Sequence, residues 1–323
     1  MVIKMPKQAD TNPFPFSDSN KRYHTYDYFT RHKFGKKCAK LPLDGGFTCP
    51  NRDGKVGVGG CIYCSARGSG DFCADKTLPI ADQLEAELGV MRKKWHDPLG
   101  IAYFQAFTNT YAPVEILREK FEPALTVPGI VGLSVATRAD CLPPDVCAYL
   151  AELAERTFLT VELGLQTIHD KTAAFINRGH TFSDFVKGYE SLRSASEKIN
   201  ICVHLIDGLP GEDAEMMLES AKEVARLRPE QVKLHLLHVI EGTKLREIWR
   251  EGKFECLTLD EYTDIVISQL EVFPAGTVIG RVTGDGLGDS LAAPLWSKKK
   301  LVVMNTIDKK MFERNTFQGR LTL

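Results

Sequence analysis

Cys49, Cys61 and Cys64 stand in the segment CPNRDGKVGVGGCIYC, eleven residues separating the first two and two separating the last pair. Three thiols on one polar, glycine-rich loop read as a metal-ligand set, because unligated cysteine usually behaves as a small core hydrophobe. Two chemistries suit the spacing. Three cysteines on four irons leave one iron open to a small-molecule ligand, with the aromatic Tyr63 inside the close pair. A fourth thiolate from Cys73 or Cys38 would instead complete a structural zinc tetrahedron. Cys141, Cys147, Cys202 and Cys256 read as ordinary buried thiols.

The elements around the loop follow from periodicity. Apolar runs of strand length occur at 37–43, 101–107, 129–136, 159–165, 199–206, 232–240 and 277–282. Helical patterns alternate with them at 80–95, 114–125, 144–155, 169–177, 182–196, 214–227 and 259–273. Repeated strand–helix alternation implies parallel strands joined by right-handed crossovers, so the expected class is α/β, a partial or complete (β/α) barrel. Such barrels carry chemistry at the carboxyl ends of their strands, where the cysteine loop stands relative to the first one. In the fourth strand Val161, Leu163 and Leu165 share one face, and Thr160, Glu162, Gly164 and Gln166 the other. Glu162 and Gln166 must then find partners in the barrel interior.

The chain has 323 residues, 43% of them hydrophobic, enough for one large core. The expected division is a basic extension over 1–36, a barrel over 37–282 and a second extension with a basic tail over 283–323. Residues 1–40 carry a net charge of +6 and residues 298–323 of +5, against −1 for the whole chain. If the fold joins them, two basic ends would offer phosphate a surface; otherwise they are solvated tails. An odd number of cysteines, nine, and no apolar stretch of signal-peptide type at the N-terminus point to the reducing cytosol. No uninterrupted apolar run approaches about 18 residues, so no membrane span is expected.

Ordered motifs accompany the cysteine loop: FTNTYAP at 107–113, ATRADCL at 136–142, VELGLQT at 161–167, INRGHT at 176–181 and HLIDGLPGE at 204–212. Together they resemble the radical S-adenosylmethionine (SAM) superfamily, and within it the short bacterial relatives of the Elongator catalytic subunit. The resemblance runs from about Cys38 to Val282. It implies a [4Fe–4S] cluster on Cys49, Cys61 and Cys64, whose open iron binds SAM and whose electron cleaves it to methionine and a 5′-deoxyadenosyl radical. It further implies SAM contacts from Gln166, Arg178 and His204, with Tyr63, Thr137 and Glu162 nearby and the Gly208–Gly211 turn close to the adenine. Arg178 would pair with the SAM carboxylate through its planar fork, or else cap carbonyls at a helix end. Phe107-Thr108-Asn109 replaces the family's usual Gly-Gly-Glu, leaving Thr108 and Asn109 as candidates for the SAM amino group. Nothing the size of an acetyltransferase domain follows Val282, so acetyl transfer is not implied.

For the short relatives the resemblance implies action on the wobble uridine of tRNA, trimming carboxymethylaminomethyl to aminomethyl, with an external electron donor such as flavodoxin or ferredoxin. The chemistry is reasonable: a C–H between an amine and a carboxylate gives a stabilised radical, and an imine would lose the two-carbon unit by hydrolysis. A radical SAM enzyme on a small metabolite, or a zinc-stabilised binding protein, are the other classes open. Two weaker features complete the reading. His235 and His238, three apart in one expected strand, would face opposite sides. The glycines of 284–288 read as a flexible turn, with Asp285 and Arg281 in reach of a substrate.

Overall fold

The structure, a computed structural model, describes residues 12–284 and 288–322. Asp285 lies outside the described residues. Seven strands form one parallel sheet: β1 (Cys38–Leu43), β2 (Leu99–Phe104), β3 (Ile130–Thr137), β4 (Phe158–Gln166), β5 (Asn200–Asp207), β6 (Gln231–Leu236) and β8 (Val278–Arg281). They lie side by side in that order, an open, partial barrel rather than a closed one. A two-stranded antiparallel piece, β7 (Val239–Ile240) with β9 (Leu291–Ala293), sits beyond the end of β6.

Helices α2 (Ile80–Arg92), α3 (Val114–Leu125), α4 (Pro144–Arg156), α6 (Phe182–Ala195), α7 (Ala214–Leu227) and α9 (Leu259–Val272) agree with the periodicity within a few residues. Capping sets their starts. Thr181 opens α6 and Thr258 opens α9 with reciprocal capping boxes to Asp184 and Glu261. The main core lies between these helices and the outer face of the sheet. Val161, Leu163 and Leu165 of β4 are completely buried there, each contributing about 1.5–3 kcal/mol. The alternation that hides them turns Glu162, Gly164 and Gln166 inward.

The short α5 (Asp170–Phe175) occupies part of the expected 169–177 helix. Three further helices lie outside the expected pattern: α1 (Tyr26–Phe34), α8 (Lys244–Arg250) and α10 (Lys300–Glu313). Helix α1 packs against both edge strands, β1 and β8, and the Ile279 amide donates to the His24 carbonyl at 2.8 Å. It therefore closes the amino-terminal end of the barrel, setting Tyr26 under the interior. Helix α10 lies on α9 through Val303, Ile307 and Met311.

The extensions meet. Arg22 donates to Asn315, and Gln318 accepts from the His24 amide, close to the turn that enters β8. Several of their cations are paired with carboxylates: Lys21 with Asp308, Arg31 with Asp27, which also takes the neighbouring Lys37, and Lys310 and Arg314 with Asp264. This junction lies at the amino-terminal ends of the strands, opposite the cysteine loop. The start of α10 differs, because β9 and residues 294–299 put Lys298 and Lys299 at the carboxyl-end side, exposed.

The expected strand 232–240 is also corrected. Strand β6 ends at Leu236, the Leu237 amide turns to the Asp207 carbonyl at 2.9 Å, and β7 starts afresh at Val239. The break cancels the alternation, so His235 and His238 border one cavity instead of opposite faces. No described helix is long and apolar enough to cross a membrane.

Candidate active site

The segment after β1 is anchored by backbone groups of another motif. The Ile62 amide donates to Ile176 O at 3.0 Å, Asn177 Nδ2 donates to Gly60 O at 2.8 Å, and Asn51 Nδ2 donates to Asn177 O. Asn177 takes the left-handed conformation at φ 54° that lets its side chain reach back. Gly179, at φ 81°, lies so close that a Cβ there would meet Val56 at 2.8 Å. INRGHT is thus a latch for the cysteine loop. Within the loop the Cys64 amide donates to Cys61 O at 3.0 Å, a tight turn, and the Arg52 guanidinium donates to Ser65 O at 2.6 Å.

Cys49, Cys61 and Cys64 border one cavity of about 600 Å³ that runs down into the barrel. Burial pushes the Cys61 thiol up to about 11 and raises Cys64, whose neighbour Arg52 partly offsets this. Loading a metal would therefore release protons. Burial raises the Tyr63 phenol well above its usual range, with the neighbouring Cys61 and Cys64 adding to the rise. A four-thiolate zinc site has no fourth member here. Cys73 lies off the cavity, its thiol against the Ala106 backbone. Cys38 begins β1, roughly 17 Å from that strand's other end. All nine cysteines are free thiols.

The other expected residues divide into two groups. Thr108, Thr137, Glu162, Gln166 and His204 border the cavity with Tyr63. Gln166 follows a register shift at the end of β4 and sits at φ 65°, an uncommon conformation, with its amide folded back beside Gly164 and the Leu165 carbonyl. Asn109 and Gly208 stand behind the lining. Asn109 Nδ2 donates to Phe104 O at 3.0 Å and Ala136 O at 2.8 Å, tying the ends of β2 and β3. Gly208 turns the chain at φ 88° after β5.

Arg178 reaches the cavity, but its guanidinium is almost wholly buried and engaged with carbonyls: Thr167 O at 2.6 Å, His180 O at 2.9 and 3.0 Å, and Leu165 O. Of the two roles open to it, the structure shows carbonyl capping rather than a free fork. Arg138 backs it, donating to Arg178 O at 2.6 Å while pairing with Asp140 at 2.7 Å.

Deeper in the cavity, Glu162 is the hub of a buried polar cluster. Its carboxylate accepts from Lys40, from Lys233 at 2.5 Å, from Ser134 Oγ at 2.5 Å and from His204 Nε2 at 2.7 Å. Burial opposes its ionisation, but Lys233, Lys40 and His204 outweigh that and hold it well below the carboxylate range. Burial and the neighbouring Lys233 push His204 down to about 4, so its Nε2–H donates as a neutral ring. Ligand atoms of Glu162, Cys202 and His204 lie within 4.8 Å of one another, yet the two ammonium groups on the carboxylate repel a cation. Lys40, Lys233, Ser134, Tyr103 and His235 were not among the expected site residues. Lys40 and Lys233 carried the signal that identified Glu162, a charged residue inside an apolar strand run.

Similarity to known proteins accords with this geometry. Residues 49–224 match the family model described as Radical SAM superfamily, and residues 229–313 match the Radical_SAM C-terminal domain. The chain is 50% identical over 309 residues to Bacillus subtilis "Uncharacterized protein YtqA", covering 96% of this chain and 95% of that one. It is 36% identical over 284 residues to Escherichia coli "Protein YhcC", covering 87% and 89%. A Methanocaldococcus jannaschii protein named tRNA uridine(34) acetyltransferase is 31% identical over 160 residues, 48% of this chain and 28% of that one. Among solved structures, Methanocaldococcus infernus Elp3 superposes with a TM-score of 0.64 at 19% identity, covering 88% of this chain and 64% of that chain, a likeness of fold. The cysteine loop, the partial barrel and these matches place the chain in the radical SAM superfamily, whose members bind a [4Fe–4S] cluster and SAM.

Proposed function

We propose that Cys49, Cys61 and Cys64 hold the [4Fe–4S] cluster, that SAM binds beside it, and that the enzyme trims the wobble uridine of tRNA from carboxymethylaminomethyl to aminomethyl. One observation carries the reading: the cysteine loop and the inward polar face of β4 open onto the same cavity. When bound, cluster and SAM would supply a carbon radical that removes one hydrogen atom from the substrate and, in the oxidised cluster, an acceptor for the second electron lost on the way to the imine, whose hydrolysis releases the two-carbon unit as an oxo acid. The chain's own residues bind, orient and exclude water. Thr108, Thr137 and Gln166 are the side chains proposed to hold SAM, with Tyr63 packed beside the loop. Asn109, Arg178 and Gly208 act behind them as positioning residues, since each fixes the backbone at a strand end. An external one-electron donor such as flavodoxin or ferredoxin, and a cytoplasmic setting, belong to the same reading.

The tRNA assignment is supported by the 31% identity, over 48% of this chain, to a protein named tRNA uridine(34) acetyltransferase. Acetyl transfer is no part of it, because the match covers 28% of that protein. The test is mass spectrometry of wobble nucleosides in tRNA from a strain lacking the gene. Carboxymethylaminomethyluridine should accumulate while aminomethyl products fall; an unchanged nucleoside profile would exclude this substrate.

A further inference from the structure

Lys40 and Lys233 are an expensive pair to bury. Lys40 is 15% exposed at its side chain and Lys233 6%, on β1 and β6, and both ammonium groups share the single carboxylate of Glu162. His204 is a neutral ring, and burial keeps the Tyr103 phenol and the Cys202 thiol protonated, so none of them adds an anion. Burial lowers the Lys233 ammonium to about 8, Glu162 opposing the fall, so at neutral pH the trio of Lys40, Lys233 and Glu162 keeps close to one uncompensated positive charge. A buried charge without a counterion is costly, and removing it from water is tolerated where a partner arrives.

The hydrogen bonds point the same way. An ammonium has three donors. Lys40 uses one on Glu162 and one on Ser134 Oγ at 3.1 Å; Lys233 uses one on Glu162 and one on Tyr103 Oη at 3.2 Å. Among the described residues each retains one donor. Both side chains border the cavity below the cysteine loop, and the Tyr103 ring lies 5.0 Å from Lys40 Nζ and 4.5 Å from Lys233 Nζ. His235 Nε2, on the same wall, is buried with no hydrogen-bond partner among the described residues.

We infer that Lys40 and Lys233 form a receptor for a carboxylate at the floor of the cavity, each ammonium donating to one of its oxygens. A monoanion matches the residual charge of one, whereas a phosphate dianion would leave an excess negative charge. The inference rests on reading this cavity as the substrate site and deepens it: the substrate carries its carboxylate on a thin arm that enters the barrel first. For a carboxymethylamino group, the carbon between amine and carboxylate would then be held just above the lysine pair. Lys40 and Lys233 are specificity-determining residues that bind the anion while the reacting carbon stays nearer the cysteine loop.

The test needs no RNA. Holoenzyme is titrated with N-acetylglycine, a monoanion, and, separately, with its neutral methyl ester, following the thermal midpoint and heat of binding. The acid should bind and raise the midpoint, and the ester should bind about tenfold or more weakly, the loss of a charge-assisted hydrogen-bond pair. Lys233→Met and Lys40→Met should abolish the preference for the acid. Glu162→Gln should move the other way and bind the acid more tightly than wild type, a gain that a folding defect would not produce. Equal binding of acid and ester by wild type, or an acid preference that survives in Lys233→Met, would overturn the receptor. If the acid preference stands while tRNA is unmodified in cells, the carboxylate receptor holds and the RNA substrate fails. If tRNA is trimmed by an enzyme that does not distinguish acid from ester, the proposed function holds and the receptor fails.

Discussion

At the floor of the cavity one carboxylate, Glu162, gathers two ammonium groups, a hydroxyl and an imidazole. Glu162 stood out because its neighbours Val161 and Leu163 are apolar, and the structure turns them outward and Glu162 in. The same reasoning applied to CAKLPL and QVKLHL would have found Lys40 and Lys233, whose long side chains are more often read as solvated. Arg178 could not be resolved by type alone, since a planar fork serves carbonyls as well as carboxylates. Asp207 offers a test at this scale. Burial pushes its carboxyl up to about 7, with the Gln269 amide at 2.6 Å only partly compensating. Its folded pKa exceeds its unfolded one, so the native state retains a proton that the unfolded chain releases between about pH 4 and 7. Native stability should therefore fall as pH rises through that window, by on the order of 2–4 kcal/mol from this residue. Denaturant unfolding of Asp207→Asn across the window should lack that component; an identical pH profile in the variant would contradict it.

Strands and outer helices were legible because their burial follows strict periods of 2 and 3.6 residues. Helix α1 was not, since it buries only Thr30 fully along its length and its function is to cover the open end of the sheet. Helix α10 did carry a pattern, Val303, Ile307 and Met311 at four-residue spacing, but a basic tail obscured it. The end of β6 was hidden because neither Gly nor Pro interrupts the apolar run from Val232 to Ile240. The latch between α5 and the cysteine loop is a contact between segments more than 110 residues apart, invisible to local spacing. It makes a prediction for the element. Asn177→Ala removes two side-chain bonds, to Gly60 O and Val58 O, and places alanine at φ 54°, loosening the loop by roughly 2 kcal/mol. Reconstituted iron and sulfide per chain should drop severalfold while the thermal midpoint of the apoprotein moves by only a few degrees; full loading would show that the loop needs no latch.

Across the whole molecule, charge is sorted by the ends of the strands. The junction of the two extensions, with its ion pairs, lies at the amino-terminal side, and the cavity mouth and the exposed Lys298 and Lys299 lie at the other. An RNA presenting one nucleotide to the barrel must approach from the mouth. Replacing Lys298 and Lys299 with Glu should therefore weaken tRNA binding and flatten its salt dependence by about one to two in log–log slope, whereas Lys21→Glu should do neither; equal effects from both would put the RNA elsewhere. The central claim is that this partial barrel performs SAM-dependent radical chemistry at its three-cysteine loop. Its most direct test is 5′-deoxyadenosine formation from SAM by the anaerobically reconstituted protein with dithionite, beside Cys61→Ser and with or without bulk tRNA. The account predicts about four irons per chain, 5′-deoxyadenosine that increases with tRNA, and neither a full cluster nor cleavage in Cys61→Ser. A colourless protein holding one zinc and cleaving no SAM would contradict it.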